Sequence, residues 1–302
     1  MTEVILTGTG IPLPTPGRAG PGALVRHESV ALQFDAGRGT VLRLADAGTT
    51  PAELTALFLT HIHSDHLIDL ADVTMTRWLQ QRRQPTGPLH IVATEGDAAH
   101  FVRHMFDVWE NDIRVRVEHV NADPPEFVLH TFDAPKLPTE IWQSDDGSIC
   151  VDAVAVHHEP VEGAVAYRVR TPDGVVVISG DTRVCAEVES FAEGAQVLVH
   201  EVCRRTAMKD SIAGTAFEKI FSYHADSVEL AGLAERAGVK HLVLTHLIPS
   251  PRNADEESAF IGDLRHGGFT GVVTVGRDLD LIRIDARGVQ LQRADAPLAP
   301  SH

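Results

Sequence analysis

Three histidines and one aspartate lie within a single six-residue stretch, at His61, His63, Asp65 and His66. The apolar run Leu57–Leu59 directly precedes them, which predicts a buried strand that ends where the cluster begins. On an extended segment, residues two apart point to the same side, so His61 and His63 are expected to face one point. Imidazole nitrogens and carboxylate oxygens are typical ligands of zinc and similar divalent ions in open catalytic sites. A polar, histidine-rich loop without metal is the alternative, but the ordered H-x-H-x-D-H spacing favours a metal site.

Four further apolar runs end in the same way, each followed by a polar residue that can bind a metal or transfer a proton. These residues are the pair His157-His158, Asp181 in Gly180-Asp181-Thr182, Glu201 after His200, and His246. Taken alone, such a residue usually caps a helix or lies in solvent. Because strand ends that gather at one sheet edge form a cleft, the recurrence predicts one shared site.

The composition is acidic, and it is apolar enough for a folded core. The 302 residues include 26 Lys and Arg against 42 Asp and Glu, a formal net charge of −16, and 43% are hydrophobic. Nucleic-acid affinity depends largely on basic side chains that neutralise phosphates, so nucleic acid is disfavoured as a partner. A small anionic substrate stays compatible, because bound metal ions reverse the local charge.

Features of cellular location are few. The three cysteines, Cys150, Cys185 and Cys203, are far apart, which is typical of buried apolar residues in a reducing compartment. The N-terminal Met1–Leu6 lacks the basic segment and long apolar stretch of a signal peptide. No apolar run approaches the ~20 residues that span a bilayer. We therefore expect a soluble cytoplasmic protein without a membrane partner.

Short strands dominate the predicted elements, and helices follow several of them. Strands are expected near 4–6, 29–34, 40–44, 57–59, 89–93, 151–156, 164–170, 175–179, 196–200, 241–245, 271–275 and 279–284. Helices are expected near 67–81, 95–109, 227–237 and 255–264. The pattern predicts one α/β domain over residues 1–302, built from two packed sheets with outer helices. An irregular segment near 110–150 is a candidate lid, and the tail 295–302 is expected to fray.

With these motifs in place, the chain resembles the metallo-β-lactamase-fold hydrolases, in the branch of ribonuclease Z, short phosphodiesterases and arylsulfatase-like enzymes. The resemblance rests, in chain order, on the cluster His61–His66, the V-x-H-x-P-V element Val156–Val161, Gly180-Asp181-Thr182 and Thr245-His246-Leu247. It implies a metallo-β-lactamase αββα sandwich, with two mixed β-sheets packed face to face and helices outside. It also implies a homodimer.

The family pattern implies two Zn²⁺ ions, with Mn²⁺ or Fe²⁺ as alternatives. One ion would be held by His61, His63 and His158 and the other by Asp65, His66 and His246, with Asp181 bridging the two. His158 is preferred to His157 because it aligns with the histidine of H-x-P-V. His157 would then point to the opposite face, as a core or supporting residue.

Two further residues resemble a Glu–His pair of the phosphodiesterase branch. In that pattern His224 protonates the leaving-group oxygen and Glu201 orients it. A carboxylate partner raises the pKa of an imidazole, as a neutral-pH acid requires. The alternative is that His224 only precedes a helix near Ser227 and that Glu201 is solvated, but an unpaired glutamate at the end of a buried strand would be costly.

The sequence departs from typical ribonuclease Z in one respect. Position 181 follows position 158 by only 23 residues, and two predicted strands occupy most of them. No room is left for the long, basic Gly/Pro-rich arm with which typical ribonuclease Z enzymes grip tRNA. The short spacing and the acidic charge favour a small anionic ester over tRNA.

We therefore expect a dinuclear metal hydrolase that cleaves a small phosphodiester or a sulfate ester. The implied mechanism uses a metal-bridging hydroxide oriented by Asp65, with His224 protonating the leaving alkoxide. A lactonase or other acyl hydrolase, which needs no such acid, and a ribonuclease Z-like nuclease are the alternatives within the fold. A metal-dependent regulatory protein without turnover is the alternative outside enzymes.

Overall fold

Two mixed β-sheets form the centre of the molecule. The structure is a computed structural model that describes residues 1–81, 83–120 and 123–294. The first sheet contains β1 (Thr2–Gly8), β2 (Gly22–His27), β3 (Val30–Phe34), β4 (Ala56–Phe58), β5 (Leu89–Thr94), β6 (Phe127–Phe132), β14 (Leu281–Asp285) and β15 (Gly288–Gln292), in the spatial order β15-β14-β1-β2-β3-β4-β5-β6. The second contains β7 (Thr139–Gln143), β8 (Cys150–Ala155), β9 (Val165–Thr171), β10 (Gly174–Ile178), β11 (Val197–Cys203), β12 (His241–Ile248) and β13 (Val272–Val275), in the order β13-β12-β11-β10-β9-β8-β7.

Helices lie on the outer face of each sheet. They are α1 (Thr40–Asp46), α2 (Ser64–Leu67), α3 (Leu70–Gln80), α4 (Asp97–His104), α5 (Glu110–Val120), α6 (Ala186–Phe191), α7 (Arg205–Ile212), α8 (Ala216–Phe221), α9 (Ser227–Arg236) and α10 (Ala254–His266). Strand alternation sends every second side chain to the inner face, which is why the core has three layers. The predicted αββα arrangement of two mixed sheets is confirmed.

The inner layer joins the two sheets through apolar and aromatic side chains. Phe34 and Phe58 stack at 4.9 Å between ring centroids, and Tyr167 of the opposite sheet lies 5.5 Å from both. The Tyr167 hydroxyl donates a 2.6 Å hydrogen bond to the carbonyl of Leu59. Because Leu59 directly precedes the histidine cluster, this contact ties that segment to the second sheet.

The expectation of a strand at 40–44 is wrong, because residues Thr40–Asp46 form α1. Gly39 adopts the left-handed conformation, with φ of 89°, and turns the chain into the helix. Thr40 and Leu44, four residues apart, are the buried side chains, which is helical rather than strand spacing. Of the two leucines in this stretch, Leu44 is buried and Leu42 is 69% exposed, so the run is not a continuous buried strand.

The segment 110–150 contains more regular structure than its sequence indicates. It holds α5 and two edge strands, β6 on the first sheet and β7 on the second. A lid function for it, and the folding of residues 1–302 as one domain, stay predictions. The tail 295–302 lies outside the described residues. Within them, no helix combines the length and apolar character needed to cross a bilayer.

Candidate metal centre

The predicted ligands come from four strand ends that meet at one edge of the sandwich. The His61–His66 cluster connects β4 to α2, His158 follows β8, Asp181 follows β10, and His246 lies in β12. Strands β10, β11 and β12 run parallel, so their carboxyl ends open to the same side. The fold therefore brings together residues that are up to 185 positions apart in sequence, from 61 to 246.

The first group of ligands surrounds a single point. One donor atom from each of His61, His63, His158 and Asp181 lies within 4.8 Å of all the others. His63 Nδ1 and His158 Nε2 are 3.1 Å apart, and Asp181 Oδ2 is 3.9 Å from His61 Nε2. Three imidazoles and a carboxylate at this separation match the donor set of a zinc-type site.

The second group shares the same aspartate. Donor atoms of Asp65, His66 and His246 also lie within 4.8 Å of one another. His246 Nε2 is 3.4 Å from Asp65 Oδ2 and 3.4 Å from Asp181 Oδ2, while His66 Nε2 is 3.4 Å from Asp181 Oδ1. The two carboxylate oxygens of Asp181 thus face both groups, as a bridging ligand requires.

The buried donor atoms of these groups fit a metal better than they fit one another. His61 Nε2, Asp65 Oδ2, His66 Nε2 and both ring nitrogens of His246 have no hydrogen-bond partner among the described residues. Leaving a buried polar atom unpaired costs about 1–3 kcal/mol. Five unpaired atoms in one place therefore need an explanation. Two divalent ions would satisfy His61 Nε2, Asp65 Oδ2, His66 Nε2 and His246 Nε2, which face the two ligand groups.

Strong electrostatic coupling marks the same residues. Burial alone would raise the pKa of Asp181, but the adjacent imidazoles, above all His246 and His66, hold it well below its usual value. Burial and the neighbouring His66 lower the pKa of His61 well below that of a free histidine. The carboxylate of Asp181 is therefore ionised and His61 neutral, which are the forms that bind metal.

A backbone irregularity aims His246 at the centre. The register between β11 and β12 shifts at this point, because Glu201 pairs with Thr245 and Val202 pairs with Leu247. His246 is the extra residue, and its φ of 43° is unusual outside glycine. A β-bulge redirects a side chain in this way, and such strain is found where a site requires it.

Asp35 is a supporting residue that the sequence analysis missed. It follows β3 with φ of 57°, and its carboxylate accepts hydrogen bonds from the backbone N–H and hydroxyl of Thr60, each at 2.8 Å. It also lies 2.7 Å from Nδ1 of His66, and the Thr60 hydroxyl is 2.9 Å from Nδ1 of His61. Asp35 therefore orients two predicted ligands so that their Nε2 atoms face the centre.

Glu201 and His224 form the predicted pair next to the ligands. The Glu201 Oε1 atom is 3.0 Å from His224 Nδ1 and accepts a 2.9 Å hydrogen bond from the backbone N–H of Thr182. Burial disfavours the charged imidazole, but the charge and hydrogen bond of Glu201 raise the pKa of His224 to about 9. The ring stacks on His246 at 5.4 Å between centroids, so a protonated nitrogen stands beside the ligand cluster.

His157 does not lie where the sequence analysis placed it. The side chain is neither in the core nor behind a ligand but partly exposed, with Nε2 3.2 Å from Glu187 Oε1. Its neighbour His158 is buried and reaches the first group, with Nδ1 3.2 Å from the carbonyl of Tyr223. Of the two candidates, only His158 belongs to a ligand group in the described part of the chain.

The sequence of this chain is similar to those of a known family and of named relatives. A family model described as Anti-Pycsar protein Apyc1 matches residues 3–267. The chain is 38% identical over 289 residues to a ribonuclease Z from Mycolicibacterium paratuberculosis, covering 95% of this chain and 99% of that protein. A ribonuclease Z from Mycobacterium bovis is 35% identical over 290 residues, covering 95% and 100%.

Solved structures share the architecture at low identity. The metallo-β-lactamase-fold protein YhfI from Bacillus subtilis superposes with a TM-score of 0.68 at 19% identity, covering 93% of this chain and 99% of that one. The short form of human tRNase Z gives 0.64 at 22% identity, covering 93% and 99%. At these identities the likeness concerns the fold.

Proposed function

The chain belongs to the Anti-Pycsar protein Apyc1 family and to the ribonuclease Z-like hydrolases of the metallo-β-lactamase fold, and from this premise we propose that it hydrolyses phosphodiester bonds with two metal ions. The observation that carries the proposal is the position of Asp181, which contacts both ligand groups. A shared carboxylate keeps two cations close together, as two-metal phosphodiester hydrolysis requires.

The proposed metals are Zn²⁺ ions, with Mn²⁺ or Fe²⁺ as alternatives. Five histidines and two aspartates provide nitrogen-rich donor sets, which favour zinc over the oxygen-preferring Mg²⁺ and Ca²⁺. The bound ions would supply a water of low pKa and a Lewis acid for the phosphoryl oxygen. The chain's own residues would then orient the water and deliver a proton.

Asp65 and His224 are the proposed proton-handling residues. Asp65 belongs to the second group, and the nearby His246 and His66 hold its pKa below the usual value despite burial. An ionised Asp65 can accept a hydrogen bond from the attacking water and so orient it. His224, positioned by Glu201, holds a proton at neutral pH and can donate it to the leaving alkoxide.

RNA is the first substrate to consider. The names of the mycobacterial relatives make the expectation against nucleic acid doubtful, because they are ribonuclease Z proteins that align with this chain over 99% and 100% of their length. The comparisons thus support a ribonuclease Z-like nuclease better than they support a small-ester hydrolase. Its scissile bond would be an RNA phosphodiester.

A small phosphodiester is the second candidate, and the connection between His158 and Asp181 favours it. Between these residues the chain contains only β9, β10 and short turns, without an extra arm that could hold a large RNA. The formal net charge of −16 also opposes a long polyanion. Sulfate esters and lactones stay predictions, as does the homodimer.

Parallel assays on the two substrate classes test the proposal. The zinc-loaded protein would be given a precursor RNA with a 3′ extension, bis(p-nitrophenyl) phosphate, and a nucleoside cyclic monophosphate. Hydrolysis of at least one phosphodiester, lost in His63→Ala but kept in His157→Ala, is the expected result. His63 is exposed, so its replacement should leave the fold intact, and His157 is the matched control, a partly exposed histidine outside the ligand groups. Turnover of none of them, or equal turnover by both variants, would contradict the proposal.

A further inference from the structure

A second pair of histidines lies on α4, outside the metal centre. His100 and His104 are one helical turn apart, both are exposed, and their ring centroids are 4.4 Å from each other. Residues four apart on a helix present their side chains on the same face. Two imidazoles in this arrangement can bind one metal ion without a change in the backbone.

Asp107 orients one of the two rings. Its Oδ2 atom lies 2.9 Å from Nδ1 of His104, so that ring donates its Nδ1 proton to the carboxylate. The acceptor nitrogen is then Nε2, which is the form that binds a metal. A carboxylate behind a histidine fixes the tautomer and raises the basicity of the ligand, as in many metal sites.

The surrounding charges favour a cation at this place. His104 is the last residue of α4, and the helix dipole places partial negative charge at that end. The neighbouring Arg103 would repel a cation, but its guanidinium is held by both carboxylate oxygens of Glu95, at 2.9 Å each. Asp107 adds a full negative charge next to His104.

We propose that His100 and His104 form a surface site for a divalent transition-metal ion, with Asp107 as the orienting residue. Zn²⁺ and Cu²⁺ are the ions that two imidazoles and water favour. The site is distinct from the metal centre and does not depend on the proposed activity. The site would hold a third equivalent of metal, and the ion would connect the side chains of His100 and His104 across one turn of α4.

A different histidine pair serves as a control. His90 on β5 and His130 on β6 place Nδ1 and Nε2 2.9 Å apart, with the rings nearly parallel at 16°. These nitrogens satisfy each other by a hydrogen bond, which a metal would have to break. The α4 pair has Asp107 behind it instead, so it is the better site.

Zinc titration of the holoprotein tests the proposal. Protein loaded with two equivalents of Zn²⁺ would be titrated with further Zn²⁺ by calorimetry. The wild type should take up a third equivalent, His104→Ala should lose it, and Asp107→Asn should bind it about tenfold more weakly. His130→Ala and His119→Ala, the latter an exposed histidine on α5, should behave as wild type.

Two results would overturn the proposal. One is the absence of a third equivalent in the wild type at about 1 mM free Zn²⁺, which corresponds to a binding free energy weaker than about −4 kcal/mol. The other is a third equivalent that persists in His104→Ala or disappears in His130→Ala. Because the four replaced side chains are exposed, circular dichroism should show unchanged folding in every variant.

Discussion

The carboxylate of Asp35 lies 2.7 Å from Nδ1 of His66 and holds that ring with its Nε2 atom toward Asp181. Both side chains are buried, and 31 residues separate them in sequence. Burial opposes charge on His66, yet the carboxylates of Asp181 and Asp35 raise its pKa well above the usual value. A metal ion at His66 Nε2 must therefore displace a proton, while Asp35 holds the ring in place from its Nδ1 side.

Replacing Asp35 by asparagine should weaken metal binding about 10- to 100-fold. Asparagine tolerates the positive φ of this position, so the change removes the negative charge without straining the backbone. Competition with a chelator of known affinity measures the zinc dissociation constant. Asp46→Asn, at an exposed aspartate on α1, is the control and should bind zinc as wild type does. Equal zinc affinities for the two variants would show that Asp35 does not support the metal centre.

Replacing Glu201 by glutamine should lower kcat only for substrates whose leaving group must be protonated by a general acid. Without the carboxylate, His224 loses the partner that keeps it protonated, so hydrolysis of a dinucleotide should fall about 10²- to 10⁴-fold. A p-nitrophenyl ester releases a stable anion and should be hydrolysed nearly as before. The ratio of the two kcat values is the measurement.

Glu187→Gln, at a partly exposed glutamate near His157, is the control for that experiment. It should leave the ratio of the two kcat values unchanged. A loss of similar size on both substrates in Glu201→Gln would mean that Glu201 supports the fold or the metals rather than His224.

Replacing Tyr167 by phenylalanine should lower the free energy of unfolding by about 1–3 kcal/mol. The change removes the buried hydroxyl that donates to the Leu59 carbonyl, leaving this acceptor unpaired. Denaturant unfolding of the metal-loaded protein gives the value. Tyr223→Phe, at the partly exposed second tyrosine, should change stability less. The hydrogen bond contributes nothing if Tyr167→Phe is as stable as wild type.

His241 should make the protein sensitive to acid. It is buried, its Nε2 is 2.7 Å from the Thr274 hydroxyl, and burial together with the charge of Arg293 lowers its pKa to about 4. Between this pKa and the ordinary histidine pKa of 6.5, the unfolded chain binds a proton that the folded chain does not. The stabilisation is thus complete above pH 6.5 and is lost as the pH falls toward 4.

The loss from this one group should reach roughly 3 kcal/mol at pH 4. His241→Gln, which cannot take up the proton, should show a flatter dependence of unfolding free energy on pH than the wild type. Metal-free protein is used so that metal release does not contribute. His266→Gln, at an exposed histidine on α10, should follow the wild-type curve. Parallel curves for His241→Gln and wild type would refute the linkage.

The residues at the strand ends were predictable from sequence, but the residues that orient them were not. Apolar runs identify buried strands, and the residues that follow them, such as Asp181 and His246, must lie at a sheet edge. Asp35 has the same position after β3, but Asp35-Ala36-Gly37 has the composition of a turn. Only its contacts with Thr60 and His66, across the first sheet, reveal its role.

The helices missed from sequence share a physical cause. α7 and α8 are only eight and six residues long, and although Phe217, Ile220 and Phe221 have helical spacing, α8 buries none of its residues and α7 buries only Ile212. Conversely, α1 has two buried residues within a run that reads equally well as a strand. Local sequence patterns therefore fail to predict a helix that is short or that makes few tertiary contacts.

Anomalous diffraction at the zinc edge, on crystals of the zinc-loaded protein, tests the central claim most directly. Two anomalous peaks about 3.5–4 Å apart are expected. One should lie among His61, His63 and His158, the other among Asp65, His66 and His246, with a carboxylate oxygen of Asp181 toward each. A single peak, or peaks that Asp181 does not contact, would contradict the two-metal centre.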